Sequence, residues 1–205
     1  MARECGLSEL DYLAGIWRST LPESLFRWGH KDDCYRLENG APSWSWASLS
    51  GQASPGQGYY ATSEVEIIDA ECEVRGDPFG HILNGSISLV GRLVKMNIES
   101  VGNFQANTWL GESGEKELLK FVRMNEPQLR KMGRMALVYG LVLMKSDRTR
   151  FRINPGGLTN FYGLFLQRSG LERGIFKKVG VFWFDSDDIP WKSAASSQIL
   201  DNSEY

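Results

Sequence analysis

Three apolar runs, Met135 to Met144, Phe161 to Leu166 and Ile175 to Phe184, set the tightest limit on what this chain can fold into. The first two are continuous and of strand length, which suits strands covered on both faces. The third reads as a further strand, with Lys177 and Lys178 at its solvent end. Upstream, Val65 to Val74 alternates apolar with acidic residues and slips phase at Ile67-Ile68 in the manner of a bulge. Ile87, Leu89 and Leu93 alternate with Ser86, Ser88, Val90 and Arg92 in one more strand. Glycines at 85, 91, 140, 163 and 180 sit at or inside these strands, where they mark bends or close backbone approach. The expected fold is mainly β, a curved antiparallel barrel or sandwich.

Two short helices are expected ahead of it. Ser8-Glu9-Leu10-Asp11 has the form of a capping box, and Leu10, Leu13, Ala14 and Trp17 follow at helical spacing. A second start lies at Thr20-Leu21-Pro22-Glu23, with Leu21, Leu25 and Trp28 on one face. Trp17 and Trp28 are expected to pack against the sheet. Ser113 to Arg134 is polar and lacks a strand period. It reads as an insertion or lid, with a helix over Glu115 to Met124 that Pro127 stops. Residues 1–190 are thus expected to form a single β-rich domain with an N-terminal helical cap, and 191–205 a polar C-terminal tail, poorly ordered unless docked.

At 205 residues the chain can bury a core without disulfide or metal support. A net charge of −2 gives no electrostatic reason to expect nucleic acid or an anionic membrane as partner. No run approaches a membrane span or a signal peptide, and three scattered cysteines, Cys5, Cys34 and Cys72, make no disulfide framework. The expected location is cytoplasmic, without stable membrane insertion. His30 and His81 are the only histidines, and no Cys or His pair has ligand spacing, so no metal is expected. A nucleophile elbow, a phosphate-cradling loop and a dinucleotide fingerprint are missing, so no cofactor is expected either, and no catalytic residue is assigned.

Ala41-Pro42-Ser43-Trp44-Ser45-Trp46-Ala47-Ser48 is the most distinctive stretch. Pro42 pushes Ala41 out of the helical region, and an extended segment places Trp44 and Trp46 on one face with serines between them. The serine hydroxyls are then free to satisfy local backbone groups. Trp44, near Pro42, is expected to be structural. Trp46, near the glycine-rich loop Gly51 to Gly58, joins Tyr59, Tyr60 and Trp109 as candidate substrate-binding residues at a barrel mouth. Other constellations read more simply as surface: Arg148, Arg150 and Arg152 as a charged edge, Glu64, Glu66, Asp69, Glu71 and Glu73 as a solvated strand face, and Asp185, Asp187 and Asp188 as a turn.

Tyr12-Leu13-Ala14-Gly15-Ile16-Trp17, then Leu21 through Leu25-Phe26-Arg27-Trp28, then Ala41 through Ser48 and Gly51, resemble the segment that follows the effector domain in fungal heterokaryon-incompatibility (HET) proteins. That family reads AGLW, a leucine-tryptophan element, APSWSWAS and a glycine. The likeness continues sparsely through Pro78-Phe79-Gly80 and Gly85, then Gly163 to Leu166 and Val179 to Phe182. The effector domain's own motif has no counterpart in these 205 residues, so its activity is not carried over. Two functions follow as expectations. One is a fungal small-molecule enzyme of secondary metabolism, a cofactor-independent cyclase, of Diels–Alder type, that folds an apolar terpenoid or polyketide in an aromatic pocket. The other is a non-catalytic recognition module related to heterokaryon incompatibility. An enclosed aromatic cavity favours the first, and an exposed aromatic patch the second.

Overall fold

Each apolar run forms a long strand in the computed structural model, which describes residues 8, 11–29, 34–37, 41–54, 61–77, 81–102, 105–110, 115–119, 121–124, 136–146, 159–169, 174–186 and 198–200. In chain order, β1 (Tyr12–Leu13) and β2 (Ile16–Trp17) make a hairpin, and β3 (Trp28–Gly29) pairs with β4 (Ala53–Ser54). One large sheet holds β5 (Thr62–Ser63), β6 (Glu66–Arg75), β7 (His81–Val90), β8 (Leu93–Gly102), β9 (Gln105–Leu110) and β10 (Glu115–Leu119). It continues with β11 (Phe121–Met124), β12 (Ala136–Ser146), β13 (Thr159–Arg168), β14 (Ile175–Ser186) and β15 (Gln198–Leu200). The bonded path runs β10-β9-β8-β12-β13-β14-β15-β7-β6, with β11 added to β14 and β5 to β12. Among the described strands only the β14–β15 step is parallel. The fold is mainly β and antiparallel, as the sequence predicts.

The ladder is not closed, but the chain itself brings its β10 end round to β14. Lys120 alone separates β10 from β11, so the stretch bordering β9 continues directly onto β14. The result is a loose barrel. One face of β8, β12, β13 and β14 gathers Val94, Met96, Val138, Phe161, Phe165, Phe182 and Phe184 into a core. Phe165 and Phe182 lie 4.7 Å apart and Phe161 and Phe184 5.2 Å apart, centre to centre, and Met96 and Phe182 fill the room beside Gly140 and Gly163. The opposite face carries Leu141, Leu143, Leu164, Leu166, Phe176 and Val181. It is covered by Leu13, Ile16, Leu25, Phe26 and Trp44 from the N-terminal segment and by Ala70, Ile87 and Leu89 from β6 and β7. Both cores share β13, buried from Asn160 through Leu166. A continuous apolar run is the sequence form of such a strand.

Several local expectations are corrected. Where the spacing predicts a helix through Leu13, Ala14 and Trp17, residues 12–17 form the β1–β2 hairpin. A two-residue turn sets Leu13 opposite Ile16 on the buried face, so partners three apart reproduce helical spacing. Among the described residues three single 3-10 turns precede the large sheet, at Arg18–Thr20, Glu23–Leu25 and Trp46–Ser48, and of these Glu23–Leu25 falls on the second expected helix. Glu115 to Met124 is not a helix but β10 and β11. The strand through Leu93 breaks at Gly91-Arg92, a corner where the chain passes from β7 to β8, which are not neighbours. Lys178 is not at a solvent end: it is buried. The bulge foreseen at Ile67-Ile68 is present, since register shifts between Ile67 and Asp69. Within the polar tail, Gln198–Leu200 pairs with both β14 and β7.

Candidate functional site

The double-tryptophan segment is a turn, not an extended strand. Ser45 N–H donates to Pro42 O (2.9 Å), and Trp46–Ser48 then form a 3-10 turn that Ser45 caps by accepting from Ala47 N–H (3.0 Å). Serine side chains offer the backbone these local partners in place of a ladder. As a consequence the two rings part company: Trp44 is fully buried and Trp46 is 41% exposed. The hydroxyls act on the backbone as expected. Ser43 Oγ accepts from Lys178 N–H (2.9 Å), Ser48 Oγ donates to Ser45 O (2.7 Å), and Ser45 Oγ donates to Ala14 O.

These bonds organise the exposed ring around Gly15. Ala14 and Gly15 have φ of 49° and 92°, the left-handed region that two-residue hairpin turns require. Turned this way, Ala14 O meets Ser45 and Gly15 O accepts from the Trp46 indole N–H. A side chain at Gly15 would place its Cβ 2.5 Å from Trp46 Nε1, so the close approach needs glycine twice over. Tyr12 and Trp17 pair edge to face across the hairpin at 5.2 Å. Burial raises the Tyr12 phenol, while a Gly15 backbone hydrogen bond opposes this. Arg18 fastens the hairpin to β6 by donating to Ala70 O, with Asp69 3.7 Å away. Beneath lies Cys72, its thiol pushed up by burial to about 11 and therefore protonated and unreactive at neutral pH.

Of the four predicted site residues, Trp46 stands here. Tyr59 and Tyr60 lie outside the described residues. Trp109 lies in β9, paired with Asn97 and Lys116, and its ring is outside the described side chains. Arg148, Arg150, Arg152, Asp187 and Asp188 are also outside the described residues. The acidic ladder is a solvated face, with Glu66, Asp69, Glu71 and Glu73 exposed and Glu64 2.6 Å from Lys145. Sequence reasoning took Tyr12, Gly15 and Trp17 into a helix and so missed the meeting of Gly15 with Trp46. The Ala-Gly pair between two apolar-aromatic couples is the signal that was available.

Lys178 is the second unforeseen group. Its Nζ donates to Leu25 O (2.8 Å) and Arg27 O (2.7 Å), tying residues 25–27 to β14 from beneath. The bulge between Phe165 and Leu166 in the β13–β14 register puts Val179 into the barrel core and leaves Lys178 under the covering segment. Burial, and then the Arg27 charge, lower the amine to about 7. Among the described residues no three His, Cys, Asp or Glu side chains gather as a metal site would need, and no helix is long and apolar enough to cross a membrane. Comparison with protein-family models, with curated proteins and with solved structures finds no match to this chain.

Proposed function

We propose that the chain is a recognition module that binds a partner protein through Tyr12, Trp17 and Trp46, in keeping with its resemblance to HET proteins. The observation that carries this reading is the state of Trp46. A large indole is 41% exposed, yet its one polar atom is already satisfied by Gly15 O. Such a ring offers apolar area with little rotamer freedom left to lose on binding, which is how aromatic anchors act at interfaces. Tyr12 and Trp17, both half-buried, pair with each other on the hairpin whose turn residue Gly15 holds the indole. A cyclase calls instead for an enclosed aromatic cavity. The described barrel interior is filled by Met96, Phe161, Phe165, Phe182 and Phe184, and Trp46 lies outside it.

The family resemblance names the partner to try first, a fungal HET effector domain. Titrating the chain against immobilised effector domains is expected to give saturable binding that Trp46→Ala weakens by about thirtyfold, the size of an interface hot spot, while Trp46→Phe retains most of it. Binding indifferent to Trp46→Ala would remove this surface from the interaction. Conversion of a polyene terpenoid or polyketide to a cyclised isomer by the purified chain, read by mass spectrometry and chromatography, would overturn the reading in favour of catalysis.

A further inference from the structure

Lys178 has no part in the aromatic surface, yet it holds the segment that leads from that surface to the barrel. Residues 25–27 reach β14 through its Nζ, and the Ser43–Ser48 turn reaches it through the Ser43 hydroxyl on its backbone N–H. One residue thereby fastens both pieces of the cover, residues 25–27 through its side chain and the turn through its backbone N–H. Its hydrogen-bond count depends on its charge. A neutral amine has two N–H bonds, matched by the carbonyls of Leu25 and Arg27, whereas an ammonium brings a third hydrogen and a full charge into a site only 2% exposed.

Among the described residues no anionic side chain acts on the amine, and the carbonyl dipoles of Leu25 and Arg27 are its compensation. The covering segment supplies Glu23, which is exposed, and Arg27, the one charge that acts on the amine and itself a cation. Lys177 precedes Lys178 on β14, and β13 supplies Arg168 and Tyr162, whose phenol burial keeps neutral. The Ala41 to Ser48 turn has no titratable side chain.

We propose that Lys178 is a proton-operated latch: neutral, it ties residues 25–27 to β14, and protonated, it loosens them and the aromatic surface they support. The regulatory meaning rests on the recognition reading above, but the latch itself does not. An amine that titrates near 7 when held and near 10.5 when released binds one proton more in the released state between those limits. Release is therefore expected to grow about tenfold for each pH unit lowered from about 10 to about 7, and to level off below that.

Amide hydrogen exchange of residues 25–29, corrected for intrinsic rates and measured from pH 6 to 9, reads this without any partner. The wild-type chain is expected to open about tenfold more per unit down to about pH 7, while Lys178→Met gives a flat profile. Should that variant not fold, Arg27→Gln keeps the test, because removing the like charge moves the levelling point to higher pH. A flat wild-type profile overturns the latch. So does an identical profile at Leu164–Leu166 in β13, which would mean that the whole molecule opens rather than the cover. Loss of partner binding with the exchange profile intact would overturn only the recognition surface.

Discussion

At the scale of single residues, two tryptophans two positions apart serve opposite ends. Trp44 is fully buried and packs in the outer core with Leu25, Phe26 and Ile87, its ring edge reaching β7 at Gly85. Trp44→Ala should cost about 3–5 kcal/mol in denaturant unfolding, as large-to-small changes in a packed core do. Trp44→Phe should cost much less than its lost volume suggests. Among the described residues the Trp44 indole N–H has no acceptor, and phenylalanine removes that unsatisfied donor. Trp46→Ala forfeits one hydrogen bond and the buried part of the ring, so its cost should be about 1–3 kcal/mol, below that at Trp44. Equal losses at both positions would show that the exposed ring is structural. Gly15→Ala joins a left-handed backbone to a collision with Trp46 Nε1. It should destabilise by at least about 1 kcal/mol and red-shift the indole emission as the ring is displaced into water.

At the scale of elements, polar side chains decide how the N-terminal segment lies on the sheet. Ser43→Ala leaves the buried Lys178 N–H without its acceptor and should cost about 1–3 kcal/mol, measured as a shift in the urea midpoint. The same scale shows what was legible beforehand. The double-sided strand β13 and the bulge in β6 could be read because burial on both faces, and a slip in alternation, each leave a mark in residue order. The hairpin at Ala14-Gly15 could not, because cross-strand partners Leu13 and Ile16 are three apart and mimic a helix. Leu118, Leu119 and Val122 in β10 and β11 misled for the same reason: sequence spacing does not record which neighbour a residue faces. Lys178 was read as solvated from its residue type, but the register shift opposite Leu166 and the carbonyls waiting above it exist only once the strands are paired. Of the two rings, Trp46 is the more exposed. The company it keeps was not legible, since hydrogen bonds across 31 positions join it to the turn.

At the scale of the whole molecule, the shifted groups combine into a stability profile whose maximum lies on the alkaline side. Lys178 titrates near 7 folded against 10.5 unfolded, so between those values the unfolded chain binds more protons and stability rises with pH, by about 1.4 kcal/mol per unit. Below about 7 this group adds no further slope. Cys72 acts in the other sense: its thiol is raised from 9.0 to about 11, so the unfolded chain loses its proton first and stability falls between those values. Tyr12 and Tyr162, both raised above 10.0 by burial, add to that fall once the unfolded phenols ionise. Rising from pH 7 to 9, nearly level between 9 and 10 where Lys178 and Cys72 oppose each other, and falling beyond, the profile should peak near pH 9 to 10, above the usual range of about 5 to 8. Urea unfolding at half-unit steps from pH 6 to 11 measures it. Lys178→Met should flatten the rise below pH 9 and leave the alkaline fall intact, and Cys72→Ser should let the rise continue towards pH 10. A wild-type maximum between pH 5 and 7 would mean that the Lys178 amine is held as readily charged as neutral, and that its two carbonyl partners outweigh the cost of burying it.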